Sequence, residues 1–486
     1  MDGTSRTEVS RFTVAIIGGG FAGAMVAAQV LRQSSGSISV ILVERGARVG
    51  KGVAYGTPFL QHLLNVPAKN MGAFPDDPEH FLRWARLNHD IGVNPGDFLP
   101  RQVYGRYVAS VLQHEIELHQ PRFERVQDEA VSIVRNGGAA EIHLRSSQIL
   151  FADKVVLALG NFPPGDPRLS GKSQHSQRYI SDPWALGALG DISRDQDQEK
   201  SQSILLVGSG LTSVDVAIAL RARGFGGTIH LLSRRGLLPQ NHKATAVWMP
   251  FWDENSPKTV HGLLRLVRTQ AEAAQRLGSG WRAVIDSLRP FTPAIWRSLS
   301  RQERRRFLRH IRPYWEVHRH RVAPEIGIPL AMQIQNGQIE THAGRVESYT
   351  EDVDGVDVTY RDRKTGELKP LRVGRVINCT GPEVDCRKTE NLLLTNLLNQ
   401  KLVRPGPLFL GLDTSEQGAL IDAAGQASDF LYTLGPARKA SLWESTAVPE
   451  IRIQASELAT LLLAACEQGQ LRPVQHEPKV GLDFVA

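Results

Sequence analysis

The chain opens on a short apolar run that breaks into glycines. Val14–Ile17 is uniformly apolar, three glycines follow at Gly18–Gly20, and an alanine-rich segment begins at Phe21. This order predicts a buried parallel strand, a tight turn and the first turn of a helix. A second apolar run, Ser39–Val43, predicts the next strand, and it ends in an acidic residue. The first part of the chain is therefore predicted to be a β-α-β unit.

The same pattern recurs near residue 204. Ile204–Val207 is apolar, a Gly-Ser-Gly turn and a predicted helix follow, and Ile229–Leu232 predicts the paired strand. Arg234 follows Gly210 at the spacing at which Glu44 follows Gly20. One unit therefore ends in a carboxylate and the other in guanidinium groups.

Both units are predicted to bind dinucleotides. In the first unit Gly18 permits a tight turn, Gly20 allows close approach of a pyrophosphate and Gly23 allows helix–strand packing. The helix N-terminus favours phosphate. A carboxylate accepts the hydroxyls of an adenosine ribose, whereas arginine pairs with a 2′-phosphate or stacks on adenine. The first unit is predicted to bind FAD through Gly18, Gly20, Phe21, Ala22, Gly23, Glu44 and Arg45. The second is predicted to bind NADPH or NADH through Gly208, Gly210, Leu211, Thr212, Ser213, Ser233, Arg234 and Arg235.

Three further strands end in glycine followed by proline or a turn. They end at Gly160, Gly381 and Gly435, where we expect the backbone to pass close to a cofactor. The predicted fold class is α/β, with an FAD domain, an inserted NAD(P) domain and a helical cap insertion. The predicted boundaries are 1–170 for the first part of the FAD domain, 195–372 for the NAD(P) domain with a basic, aromatic helical insertion at about 245–330, and 373–486 for the second part of the FAD domain.

Composition narrows the function classes. No apolar run in the 486 residues reaches the roughly 20 needed for a membrane span, and the polar N-terminus lacks signal-peptide order, so we expect a cytoplasmic protein without a membrane partner. The three cysteines form no C-x-x-C pair, which disfavours a disulfide reductase. His318 and His320 do not share a helix face, and no metal site is predicted.

The net charge of +7 is concentrated in a basic segment, Arg297–Arg321. Such a segment suits a solvated helix face, an acidic partner, nucleic acid or an anionic small molecule. No nucleic-acid-binding module accompanies it, so we expect no nucleic-acid partner.

Four residues are candidates for the reaction site. Asn65 is a possible hydrogen-bonding group near a flavin ring, or it closes a turn before a proline. Arg101 begins a predicted helix and suits a phosphate or an anionic substrate, or a capping role. Arg319 and Arg321 are candidates to bind an anionic substrate.

The chain resembles the FAD/NAD(P)-binding oxidoreductases with two dinucleotide folds, and within them a bacterial branch. The shared stretches are Gly52–Met71, Phe98–Tyr107, Ile180–Trp184, Ser233–Pro239, Phe307–Arg321 and Trp443–Ala455. The resemblance implies a monooxygenase in which NAD(P)H reduces FAD and O2 forms a C4a-(hydro)peroxyflavin. The first activity it suggests is hydroxylation of urate to 5-hydroxyisourate in purine degradation. An electron-transfer reductase acting on a quinone or protein, and a flavin enzyme that N-hydroxylates an amine, remain alternatives.

Overall fold

The structure is a computed structural model, and it describes residues 12–34, 36–120, 122–167, 176, 178–190, 192 and 203–470. The strands are β1 (Phe12–Ile17), β2 (Ile38–Val43), β3 (Phe123–Val126), β4 (Ala130–Asn136), β5 (Ala139–Leu144), β6 (Ile149–Ala152), β7 (Lys154–Leu157), β8 (Tyr179–Ile180), β9 (Ile204–Val207), β10 (Ile229–Ser233), β11 (Ile339–Glu351), β12 (Val356–Asp362), β13 (Leu368–Val373), β14 (Arg375–Asn378), β15 (Ala419–Ile421) and β16 (Ala427–Thr433).

The helices alternate with these strands in the first part of each nucleotide fold. They are α1 (Phe21–Gln33), α2 (Gly52–Tyr55), α3 (His80–Asn88), α4 (Arg101–Leu118), α5 (Leu211–Ala222), α6 (Val260–Arg276), α7 (Gly280–Ser287), α8 (Thr292–Ser298), α9 (Arg301–Arg306), α10 (Arg312–Arg319), α11 (Pro324–Gln335), α12 (Leu392–Asn399), α13 (Lys439–Leu442) and α14 (Val448–Gln470). Across the described ranges, no helix has both the length and the apolar character needed to cross a membrane.

The first sheet positions the first glycine turn. Among the described residues its six strands run β15-β16-β7-β1-β2-β3. β1 is parallel to both of its neighbours, and Ile17 is level with Val43 of β2 and Leu157 of β7. Gly18, Glu44 and Ala158 follow those strands and emerge at one sheet edge. This is the topological switch point at which open α/β sheets bind ligands.

Two apolar layers cover this sheet. α1 packs between α4 and α14 on one face, and the alanines and valines of α1 are buried there. On the other face, the three-stranded sheet β4-β5-β6 and α12 cover β1 and β7. The strands are apolar on both faces because both faces are covered.

The second sheet repeats this arrangement. Within the described ranges its seven strands run β13-β12-β11-β10-β9-β14-β8, and β9 lies between β10 and β14. The chain leaves the first sheet after β7 and returns at β15 and β16, so the second fold is inserted in the first, as predicted. β14 pairs with β9 and therefore extends the second fold to Asn378, beyond the predicted boundary at residue 372.

The segment between β10 and β11 is helical, α6 to α11, as its pattern predicts. It packs onto the C-terminal part of the first domain. Trp296 stacks on Trp443 with ring centroids 4.9 Å apart, and its indole N–H donates to Ala440 O at 2.8 Å. Arg289 forms a bidentate ion pair with Glu450 at 2.6 and 2.9 Å. The insertion therefore rests on the start of α14.

Candidate cofactor and active site

The first glycine turn has no room for side chains at two positions. Gly18 has φ +106°, and a Cβ there would overlap Ala158 O. A Cβ on Gly23 would overlap Gly18 O, so the helix packs directly on the turn. α1 begins after Gly20 without a side-chain cap, and its first backbone hydrogen bond runs from Ala24 N–H to Gly20 O at 2.9 Å. The N–H groups of the first helical turn are therefore left for a phosphate.

Glu44 lies against this turn. Its Oε2 accepts the Gly19 N–H and its Oε1 accepts the Gly46 N–H, both at 2.7 Å. These bonds fix the carboxylate while leaving lone pairs on each oxygen for ribose hydroxyls. Arg45 is exposed. The predicted FAD residues of the first unit are thus brought together, with Arg45 at the rim.

A loop beside the turn carries a basic residue, Lys51, that is not among the predicted site residues. Gly50 N–H donates to Gly19 O at 2.7 Å, and Gly52 Cα lies 3.5 Å from where a Gly20 Cβ would stand. Lys51 lies between these two glycines. Burial and then the nearby charges of Arg48 and Arg106 lower the pKa of Lys51. The turn is therefore in a region of positive charge that suits a pyrophosphate, and the Gly-Lys-Gly triplet was the available signal.

The second glycine turn has the same construction. Gly208 has φ +125°, and a Cβ there would overlap Cys379 O. α5 begins at Leu211 without a side-chain cap, and Thr212 lies in its first turn. The space around a Cβ on Gly210 is open. Ser213 replaces the third glycine and is fully buried.

The end of β10 carries the predicted arginines. Ser233 Oγ lies 2.7 Å from Ser209 Oγ and accepts the Gly236 N–H at 3.0 Å, which holds the turn. Arg234 is exposed and, within the part of the chain that the structure describes, has no hydrogen-bond or ion-pair partner. Arg235 instead donates to Tyr314 Oη at 3.2 Å and lies over that ring. Arg234 is therefore the arginine available to a cofactor.

Two of the three strand endings with glycine meet each other, and the third lies beside α1. The loops that follow Gly160 and Gly381 meet at a β-bridge between Pro164 and Pro382. Gly435 is buried with φ +73°, donates its N–H to Gln454 Oε1 at 3.0 Å, and has Ala22 of α1 beside it. All three glycines therefore lie in connections that border the two glycine turns.

Arg101 lies at the interface of the two nucleotide folds. Its Nη2 is 2.8 Å from Asp215 Oδ2 on α5, and the two side chains are 15% and 10% exposed. His62 reinforces the same contact, with Nε2 3.0 Å from Asp215 O and Nδ1 2.7 Å from Thr57 Oγ1. The guanidinium of Arg101 is thus matched by a carboxylate, which differs from the predicted free anion-binding group.

Asn65 is half-buried at the same interface. Its backbone carbonyl oxygen accepts the His242 Nε2–H at 2.9 Å. No described residue hydrogen-bonds its side-chain amide. Burial, followed by the charge of Arg321, lowers the pKa of His242 to about 4. The side-chain amide of Asn65 is therefore left without a partner among the described residues, and its role toward a flavin ring or substrate stays a prediction.

His242 is expected to make the protein less stable in acid. Its pKa lies near 4 when folded and near 6.5 when unfolded, so the unfolded chain binds more protons between these values. As the pH falls from 6.5 to 4, protonation of this histidine in the unfolded chain lowers the free energy of unfolding. The loss between pH 7 and pH 5 is about 2 kcal/mol. Urea unfolding of His242→Gln at both pH values should show a pH-dependent loss smaller by that amount. His89→Gln, at an exposed position, should match the wild type; equal losses in all three proteins would refute the assignment.

Arg319 and Arg321 do not form the predicted anion-binding pair. Arg319 Nη2 lies 2.9 Å from Glu444 Oε2 and 3.7 Å from Glu450 Oε1, and the arginine is 10% exposed. Arg321 is ion-paired with Asp286 and is 3% exposed. Both charges are therefore matched by carboxylates. The Arg319–Glu444 pair joins the helical insertion to the C-terminal part of the first domain, whereas the Arg321–Asp286 pair lies within the insertion.

The burial of the three cysteines argues against a disulfide reductase. Cys379, Cys386 and Cys466 are all buried and none forms a disulfide. Burial raises the pKa of each thiol, that of Cys386 to about 11. A disulfide reductase needs an accessible thiolate.

Comparison with known proteins agrees with this geometry. Residues 15–162 match a protein family described as FAD-NAD(P)-binding. L-lysine 6-monooxygenase from Pseudomonas syringae superposes with a TM-score of 0.64 at 17% identity, covering 93% of this chain and 99% of the enzyme. The FAD-bound cadaverine monooxygenase of desferrioxamine biosynthesis from Erwinia amylovora gives 0.63 at 12%, with 94% and 95% covered. Ornithine N-hydroxylase from Kutzneria sp. 744, with reduced FAD, NADP+ and L-ornithine, gives 0.59 at 14%, with 95% and 100% covered.

No curated protein sequence matches the chain significantly. The chain has the fold of flavin-dependent oxidoreductases with two dinucleotide-binding domains, and the FAD/NAD(P)-binding domain is confirmed.

Proposed function

We propose that the protein is an FAD- and NADPH-dependent monooxygenase that hydroxylates the nitrogen of a small amine. The observation that carries the proposal is the contrast between the two glycine turns. Glu44 lies against the first turn, where a ribose is recognised, and unpaired Arg234 lies beside the second, where a 2′-phosphate can bind. The similarity in fold to amine N-hydroxylases over 93–95% of this chain supports the amine as substrate class.

Urate is replaced as the favoured substrate. The cationic side chains that suited an anionic substrate, Arg101, Arg319 and Arg321, are each matched by a carboxylate. Breaking a buried pair to bind a substrate costs several kcal/mol. A role in purine degradation is therefore not supported.

The residues present suit both cofactors. The glycine turn, the N-terminus of α1, Glu44 and Lys51 would hold FAD, and the N-terminus of α5 with Arg234 would hold NADPH. Bound FAD supplies hydride acceptance and activation of O2. The chain's own contribution is positioning. The interface pair Arg101–Asp215 keeps the two folds together and excludes water, and the Asn65 amide is available to orient a ring or substrate.

Arg234→Ala is expected to raise the KM for NADPH by about 10- to 100-fold, which corresponds to the loss of one charge-assisted hydrogen bond. The KM for NADH should stay nearly unchanged. Steady-state kinetics with both cofactors checks this. Arg235→Ala is the matched control, since Arg235 contacts Tyr314. Equal effects of Arg234→Ala on both cofactors would mean stacking on adenine and refute 2′-phosphate pairing.

The substrate class is tested with purified FAD-loaded protein, NADPH and air. Ornithine, lysine, cadaverine and urate are supplied separately, and NADPH consumption, hydrogen peroxide and hydroxylamine products are measured. We expect one amine to give hydroxylamine in proportion to NADPH consumed. Urate loss without any hydroxylamine would contradict the proposal, as would peroxide as the sole product with every amine.

A further inference from the structure

Three potential metal ligands meet on the second sheet, outside the cofactor site. His230 is on β10, and Glu340 and His342 are on β11. The two strands are parallel and in register, with His230 opposite Glu340. His230 Nδ1 is 3.1 Å from His342 Nε2 and 3.3 Å from Glu340 Oε2, and the His342–Glu340 distance is 3.6 Å.

These distances match one face of a coordination tetrahedron. With metal–ligand bonds of about 2.0–2.1 Å, tetrahedral ligand atoms are about 3.3–3.4 Å apart. We propose that His230, Glu340 and His342 bind a divalent transition-metal ion, with Zn2+ preferred. Two imidazoles and a carboxylate are ligands that zinc takes when a fourth position stays open.

The surroundings support ligation. Tyr360 Oη lies 3.2 Å from His342 Nδ1, so Nε2 of this ring faces the proposed site. Histidine ligands commonly form a hydrogen bond through the nitrogen that does not bind the metal. Glu340 is 50% exposed, His342 18% and His230 9%, which gives an ion a path from solvent. Nearby Lys369 is paired with Asp362 at 3.2 Å, so its charge is matched.

The position suggests what the ion does. β10 continues from His230 to Ser233, and Arg234 follows directly. A metal that joins β10 to β11 ties down the strand that presents Arg234. The sequence predicts no metal site because the ligands come from opposite sides of the helical insertion, and only the strand register brings them together.

Full-length FAD-loaded protein, stripped with EDTA and dialysed, is titrated with Zn2+ against a chromogenic chelator. We expect one equivalent to bind, and Co2+ to give the visible spectrum of a tetrahedral site. Glu340→Gln and His342→Gln should each weaken binding by on the order of 100-fold, and Tyr360→Phe by about 10-fold.

The matched control is Glu141→Gln. Glu141 lies 3.7 Å from His143, and this carboxylate–histidine pair is not joined by a second histidine among the described residues. This variant should bind zinc as the wild type does. FAD content and circular dichroism check folding, and half-exposed Glu340 tolerates amide replacement. The proposal is overturned if the wild type does not bind one equivalent of Zn2+ at saturation, because the three side chains would then be a hydrogen-bonded cluster only. It is equally overturned if Glu340→Gln binds Zn2+ with unchanged affinity.

Discussion

Gly20→Val is expected to give a folded protein without FAD. The backbone at Gly20 has φ −71° and ψ −165°, which any residue adopts, and a Cβ there makes only an ordinary 3.5 Å contact with Gly52. The fold therefore tolerates the side chain, but the valine occupies the space at the helix N-terminus where a pyrophosphate binds. We expect FAD affinity to fall by 100-fold or more, about 2.7 kcal/mol.

The absorbance of the purified variant and FAD titration of the apoprotein measure this loss. Gly210→Val is the matched control because Gly210 occupies the equivalent position in the second fold and has open space around it. It should stay yellow while its KM for NADPH rises. A Gly20→Val protein that retains FAD, or a Gly210→Val protein that loses it, would reverse the assignment of the two folds.

Arg319→Met is expected to lower the free energy of unfolding by about 3–5 kcal/mol. The substitution leaves Glu444, itself 7% exposed, without its cation in a buried site, and a half-broken buried pair costs that much. Denaturant unfolding measures the change. Exposed Arg345→Met should stay within about 0.5 kcal/mol of the wild type.

A second variant separates stability from binding. Arg319→Met combined with Glu444→Leu removes both charges and should recover much of the lost stability. We expect Arg319→Met to lose stability without any change in the binding of an anionic substrate. Unchanged stability of Arg319→Met together with a raised KM for such a substrate would restore the anion-binding interpretation.

Local features of the sequence are sufficient to predict the two β-α-β units. An apolar run that ends in glycine fixes strand, turn and helix within a few residues, and the identical spacing of Glu44 and Arg234 follows from the repeated unit. Both turns have the close backbone contacts that Gly18 and Gly208 require. These predictions depend on contacts between neighbouring strands and helices, which the repeat determines.

The side-chain partners depended on tertiary packing. Nothing near Arg319 in sequence shows that α10 docks beside Glu444, and Arg101 meets Asp215 only because α5 comes from the inserted domain. The same holds for the boundary at residue 372, since β14 could have joined either sheet. A charged residue's role is set by the partner that folding brings to it.

The first fold is expected to hold FAD while the second delivers hydride from NADPH. Anaerobic rapid mixing of the purified yellow protein with NADPH tests this division of roles most directly, with flavin absorbance as the readout. We expect NADPH to bleach the flavin, and Arg234→Ala to need about 10- to 100-fold more NADPH for the same rate. A flavin that stays oxidised with both NADPH and NADH would contradict it.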